Sequence, residues 1–250
     1  MIAGRFLALG DPDPKNMTVI EHLEEVRSRL LVCIIVITVA TLGSLFLYNF
    51  MIDLLLNPLK GVHNLALGNR LIFTNITGGL FLRIKLALVP AAVISLPVLL
   101  YELWMFVAPA FEVETRRYVV PFVGLGMVLF AIGATIGYLI FPRYFGFLVG
   151  IAGSDVVYLP DANALINQFA LIVLIFGGVF ELPIVLTLLS RVNIVSSALL
   201  RRKRKISVFI ALFAAMIITP GADPFTPLIV AFLLVILYEF SIILIRFTHR

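Results

Sequence analysis

Charge is what this sequence has least of. Only 13% of its 250 residues are Asp, Glu, Lys or Arg, and 62% are hydrophobic, with a mean hydropathy of +1.12; soluble domains carry about 25% charged residues. So little polar surface excludes a water-soluble globular domain and predicts an integral membrane protein. A single cysteine, Cys33, excludes an intrachain disulfide, and its place inside an apolar run reads as a small packed residue. The sequence has no phosphate-cradling GxxxxGK[ST], no His/Cys/Asp/Glu set with metal-ligand spacing and no nucleophile constellation. No metal, cofactor or enzymatic activity is therefore expected, and energy must come from the membrane potential or from partners. Also missing are the alternating segments of about ten residues that build a membrane barrel, so the long uncharged runs predict helices. Phe6 to Gly10 is too short for the apolar region of a secretory signal and is followed at once by Asp11-Pro12-Asp13-Pro14. No cleaved targeting peptide is expected, and the first span itself must direct insertion.

What is present is a succession of apolar runs. Residues 1–17 read as a polar tail and 18–250 as one membrane domain. Thr18-Val19-Ile20-Glu21 has the spacing of a capping box and starts a helix. Its first turns put Glu25 and Arg29 four residues apart on one face. Two readings are open there: a self-paired helix at the membrane surface, or Glu24 or Glu25 as a ligand for a cationic partner. Leu30 to Phe50 carries no charge and, at about 1.5 Å per residue, reaches about 31 Å, enough for a first span. Further spans are expected at about 79–101, 118–142 and 165–189. Arg83 and Lys85 near the start of the second can snorkel to the outer surface, and Pro90 and Pro97 within it need neighbours or water for the carbonyls they free. In the third, Gly126, Gly133 and Gly137 allow close helix packing. The last two runs, 206–218 and 227–238 before Glu239, are short, although Thr219-Pro220 and Phe240 to Ile245 can extend them, so a thinned bilayer or a water-filled dent is expected beside them.

Orientation follows from basic residues. With six spans, 14 of the 19 Lys and Arg side chains fall on one side, including the run Arg201 to Lys205, and 5 on the other. The richer side is cytoplasmic, and both termini lie there. The same sorting explains the net charge of +5 without any nucleic-acid partner.

Polar residues inside or between such runs are the candidate functional groups. Tyr101 to Arg117, YELWMFVAPAFEVETRR, places carboxylates, aromatics and an arginine pair between two spans. Trp104 and Phe106 suit a loop at headgroup level, where amphipathic aromatics settle. Glu181, in FGGVFELPIVL, lies mid-span. A carboxylate there costs about 2.5–3.5 kcal/mol to insert, so it should face protein or water and have a partner. Asp223 sits in the proline-rich turn TPGADPFTP, where it is a turn residue or an exposed functional acid.

Glu21-His22-Leu23 to Leu30, the SLPVLLYELWMFVAPAF run from Ser95 to Phe111, FGGVFELPIVL, TPGADPF and the closing LLVILYEFSI together resemble the TatC family, the multispanning core of the twin-arginine protein translocase. The similarity runs from Thr18 onward in one order and spacing. It implies an all-α integral membrane protein with six transmembrane helices in a concave glove-like bundle, the last two short. It implies a receptor in the cytoplasmic membrane for signal peptides of folded precursors, driven by the proton-motive force. The implied partners are TatA-type and TatB-type single-span proteins and membrane lipid, with self-association left open. The implied signal-peptide contacts are Glu24, Glu25, Phe106, Pro109, Glu112 and Glu114, with Glu181 as the intramembrane acid and Asp223 as the acid of the external turn, one residue longer here. The family usually has glutamate directly before the two basic residues; here that place is Thr115, so Glu114 or Glu112 must serve. Carboxylates suit the task because a guanidinium offers them paired, charge-assisted hydrogen bonds. Two other functions stay in view: a proton-coupled secondary transporter using Glu181, and a structural membrane scaffold.

Overall fold

The computed structural model describes residues 19–61, 76–107, 119–151, 161–191, 194–218 and 225–248. All regular elements among them are helical: α1 (Val19–Ser44), α2 (Tyr48–Leu56), α3 (Gly78–Val107), α4 (Val119–Ile151), α5 (Ala162–Phe180), α6 (Leu182–Arg191), α7 (Ser197–Arg202), α8 (Arg204–Ile218) and α9 (Phe225–Thr248), with single 3-10 turns at Leu45–Leu47 and Asn57–Gly61. Among the described residues, five stretches are long and apolar enough to cross a membrane: Leu23–Lys60, Gly78–Phe106, Val119–Ile151, Ala162–Arg191 and Pro227–Phe247. The remaining expected span, the fifth in chain order at 206–218, corresponds to α8, whose 15 residues reach only about 22 Å.

The bundle is organised around a seam between α4 and α5. Gly133, Gly137, Phe141, Phe145 and Val149 recur every fourth residue and form a buried stripe along α4. A side chain on Gly133 would run into the Phe176 carbonyl and the Phe180 ring of α5, and a Cβ on Gly137 would lie 3.1 Å from the Ile172 carbonyl oxygen. Close approach of backbones is what holds helices together where lipid is as apolar as leucine. Phe141 and Phe169 then meet edge to face at 5.2 Å, both almost wholly buried. The stripe also explains why α4 runs on through Pro142 to Ile151: Phe145 and Val149 continue the packed face, and this outweighs the break expected at the proline.

Six hydroxyl groups within the helices are satisfied locally. Thr38, Thr41, Ser95, Thr135, Thr187 and Ser241 each donate to the carbonyl four residues back, at 2.6–2.7 Å. Such internal bonding removes the cost of carrying a hydroxyl into hydrocarbon. Asp161 caps α5 by accepting from the Asn163 and Ala164 amides, and the Arg83 guanidinium lies 4.8 Å over the Tyr48 ring. The Arg83 side chain expected to snorkel thus ties α3 to α2.

Two expectations are corrected. The last helix is not short: α9 has 24 residues, because Glu239, read as the end of the apolar run, is carried within it and pairs with Arg204 at the foot of α8 at 2.6 Å. Trp104 is not an interfacial anchor. Residues 101–107 belong to α3, and the indole is 5% exposed, 4.6 Å from the Phe122 ring of α4.

Candidate functional site

The candidate acids among the described residues lie in two places. The first is where α1 and α3 meet near the start of α1. The four-residue spacing of Glu25 and Arg29 places both on one face, and Arg29 Nη2 and Nε donate to Glu25 Oε1 at 2.6 and 3.0 Å. Arg29 Nη1 reaches across to α3 and donates to Glu102 Oε2 at 2.9 Å. The three side chains are 15–21% exposed, so these charges interact through a medium less screening than bulk water. Two carboxylates here share one guanidinium.

Of the residues expected at this site, Glu25 is in the cluster, Glu24 is exposed on α1 and takes no part in the Arg29 bonds, and Phe106 is half-buried near the end of α3. Pro109, Glu112 and Glu114, with Thr115, lie outside the described residues, as does Asp223. Glu102 was missed as an individual site residue. The signal for it was its depth: it sits in the last turns of the second apolar run, and Arg29 sits at the edge of the first, so antiparallel helices bring them level.

The second place is Glu181. The fourth span tightens at Glu181, where α5 ends at Phe180 and α6 starts at Leu182 with the backbone still in the right-handed helical region. At this joint the Glu181 amide donates to the Gly178 carbonyl at 3.1 Å, while the Glu181 carbonyl accepts from Ile184 and Val185 at 3.0 Å. Pro183 has no amide to offer, so the turn tightens to three-residue bonding around it. The Glu181 carboxylate points inward, and a Cβ on Gly126 of α4 would strike Leu100 Cδ1 first and lie 3.2 Å from the Glu181 Oε2; glycine there makes room for Leu100 and for the acid beside it. Both carboxylate oxygens are buried and meet no hydrogen-bond donor among the described residues. The acid does face protein, as expected, but the expected partner is not among those residues.

The family model for "Sec-independent protein translocase protein (TatC)" matches residues 21–232. The chain belongs to the TatC family. TatC proteins of Desulforapulum autotrophicum and Carboxydothermus hydrogenoformans are 35% and 32% identical to it, over 89% and 94% of this chain and 82% and 95% of theirs. TatC of Escherichia coli K12 is 34% identical, over 91% of this chain and 88% of its own. A crystal structure of the twin-arginine translocase receptor TatC in DDM superposes with a TM-score of 0.76 at 30% identity, covering 90% of this chain and 99% of that one. Membership of TatC makes the chain a multi-pass component of a Sec-independent protein translocase, a transport protein built of membrane helices. Both polar places lie within the residues that the TatC family model matches.

Proposed function

We propose that this TatC protein is the signal-peptide receptor of a twin-arginine translocase, a single membrane domain over 18–250 with six spans, a concave glove-like face and both termini in the cytoplasm. It sits in the cytoplasmic membrane, passes folded precursors with TatA-type and TatB-type single-span partners, and draws on the proton-motive force. Glu25, Glu112 and Glu114 accept the arginine pair, with Glu24, Phe106 and Pro109 bordering it. The apolar part of the signal lies along the bundle toward Glu181, and Asp223 serves in the external turn. The observation that carries this reading is Glu25 holding a guanidinium at 2.6 Å beside the end of α3, which leads directly into the segment bearing Glu112 and Glu114. A carboxylate already gripping one guanidinium has the geometry and charge to grip another. The protein in the similar crystal structure is a twin-arginine translocase receptor, which agrees with the assignment.

A photo-crosslinker at position 106 or 114, offered arginine-pair and lysine-pair signal peptides, tests it. Preferential labelling of the arginine pair is expected; equal labelling of both peptides sinks the receptor assignment. The buried Glu181 at a helix joint favours a second reading, proton-coupled transport of a small solute, which predicts solute uptake by the purified chain in vesicles.

A further inference from the structure

We propose that Arg29 is a resident guanidinium that occupies Glu25 and Glu102 until the arginine pair of a signal peptide displaces it, and that Glu102 receives the second of those arginines. This inference rests on the receptor reading. Its starting point is that the group Arg29 presents to the two carboxylates is chemically the same as the group the receptor is to bind. Arg29 takes Glu25 through a fork of Nε and Nη2 and Glu102 through Nη1. No ligand arginine can form a fork to the same oxygen while Arg29 holds it.

Charge decides between addition and exchange. Where Arg29 holds a carboxylate oxygen, an added guanidinium meets like charge at close range in a site whose side chains are only 15–21% exposed, and a partly desolvated like-charge contact is unfavourable. Exchange puts one guanidinium in place of another and brings no like charges together, whatever Glu112 and Glu114 contribute. Arg29 spans both acids, so replacing it on each of them calls for a pair. Arg29 can leave without moving the backbone, because it and Glu25 stand one turn apart on the same helix and rotation of a long side chain carries it to solvent. The second consequence is mechanical. Arg29 spans from α1 to α3, and Glu102 is 73 residues away in sequence. Displacement removes this tie between the two helices at the moment of recognition, so ligand binding loosens α1 from α3.

The test uses the full chain in lipid nanodiscs and fluorescent arginine-pair and lysine-pair peptides. Each partly exposed ion pair that Arg29 gives up is worth up to roughly fivefold, so Arg29→Gln should bind the arginine pair roughly three- to tenfold more tightly than the wild type. Arg29→Lys, which keeps the charge but not the fork, should tighten binding by a smaller factor, and it decides the matter if Arg29→Gln does not fold. Glu102→Gln should lower affinity for the arginine pair while leaving a peptide with one arginine unaffected. Spin labels on cysteines at 28 and 103, in a Cys33→Ser background, should show the α1 to α3 distance distribution broaden when peptide binds, and already broad in Arg29→Gln. Unchanged or weaker binding by the Arg29 variants, or a distance distribution that peptide leaves unaltered, overturns the proposal. Failure of the wild type to distinguish arginine from lysine pairs overturns the receptor reading instead, whatever the variants do.

Discussion

Alanine placed at Gly133 and at Gly124 should have opposite effects, although both glycines lie on α4 fewer than ten residues apart. Gly124 is exposed and a Cβ there meets nothing within 4 Å. Alanine at that position gains only its better helix propensity, up to about 1 kcal/mol. At Gly133 the new methyl group meets the Phe176 carbonyl and the Phe180 ring, and a backbone oxygen cannot rotate away as a side chain can. The helices must part, which costs about 1–3 kcal/mol in overpacking and also forfeits contacts along the stripe below. The two variants should therefore differ by about 2–4 kcal/mol, or roughly 5–15 °C in melting temperature at about 2–4 °C per kcal/mol for a chain of this size. Gly137→Ala should fall between them, because its closest contacts, at 3.1 Å, need a smaller shift. Thermal unfolding followed by size-exclusion in detergent measures all three. A Gly133→Ala protein as stable as Gly124→Ala would refute the claim that the α4–α5 seam depends on bare backbone.

Other perturbations follow from the same geometry. Glu181→Gln should leave signal binding intact and reduce export or assembly, read as precursor processing in cells; wild-type export would remove Glu181 from the mechanism. Arg83→Ala should lower stability by about 0.5–1 kcal/mol through loss of the ring contact, whereas Tyr48→Phe, which keeps an aromatic face, should change it little in the same unfolding assay.

Local patterns were readable from residue order, and contacts across the bundle were not. Glu25 and Arg29 sit four apart, and helix geometry alone pairs them. Glu102 enters the same cluster only once the first two spans are taken as antiparallel neighbours, which brings the ends of their apolar runs level. Glycines at 133 and 137 announced close packing because their periodicity is local, while the partner, α5, needed the structure. Trp104 was misplaced for a physical reason: an indole near the end of an apolar run is consistent with either a headgroup anchor or a buried wedge, and only Phe122 on the next helix decides. The joint at Glu181 was half visible, since Pro183 demanded repair; that the repair would tighten the span between α5 and α6 depended on the turn around Gly178. Glu239 was read as the end of a run because a charge in hydrocarbon is costly, and the compensating Arg204 belongs to another helix.

The shortness of α8 bears on leakage as well as on packing. Hydrocarbon is the insulation of a membrane, and the barrier to an ion falls as that layer thins. At about 22 Å against about 30 Å, α8 leaves a deficit of about 8 Å if it crosses, which lipid meets by dimpling toward it. The flank of α8 where Phe209, Phe213 and Met216 are exposed would then border the thinnest insulation beside the described helices. A protein translocase would have its resting seal set by how lipid closes around those 15 residues.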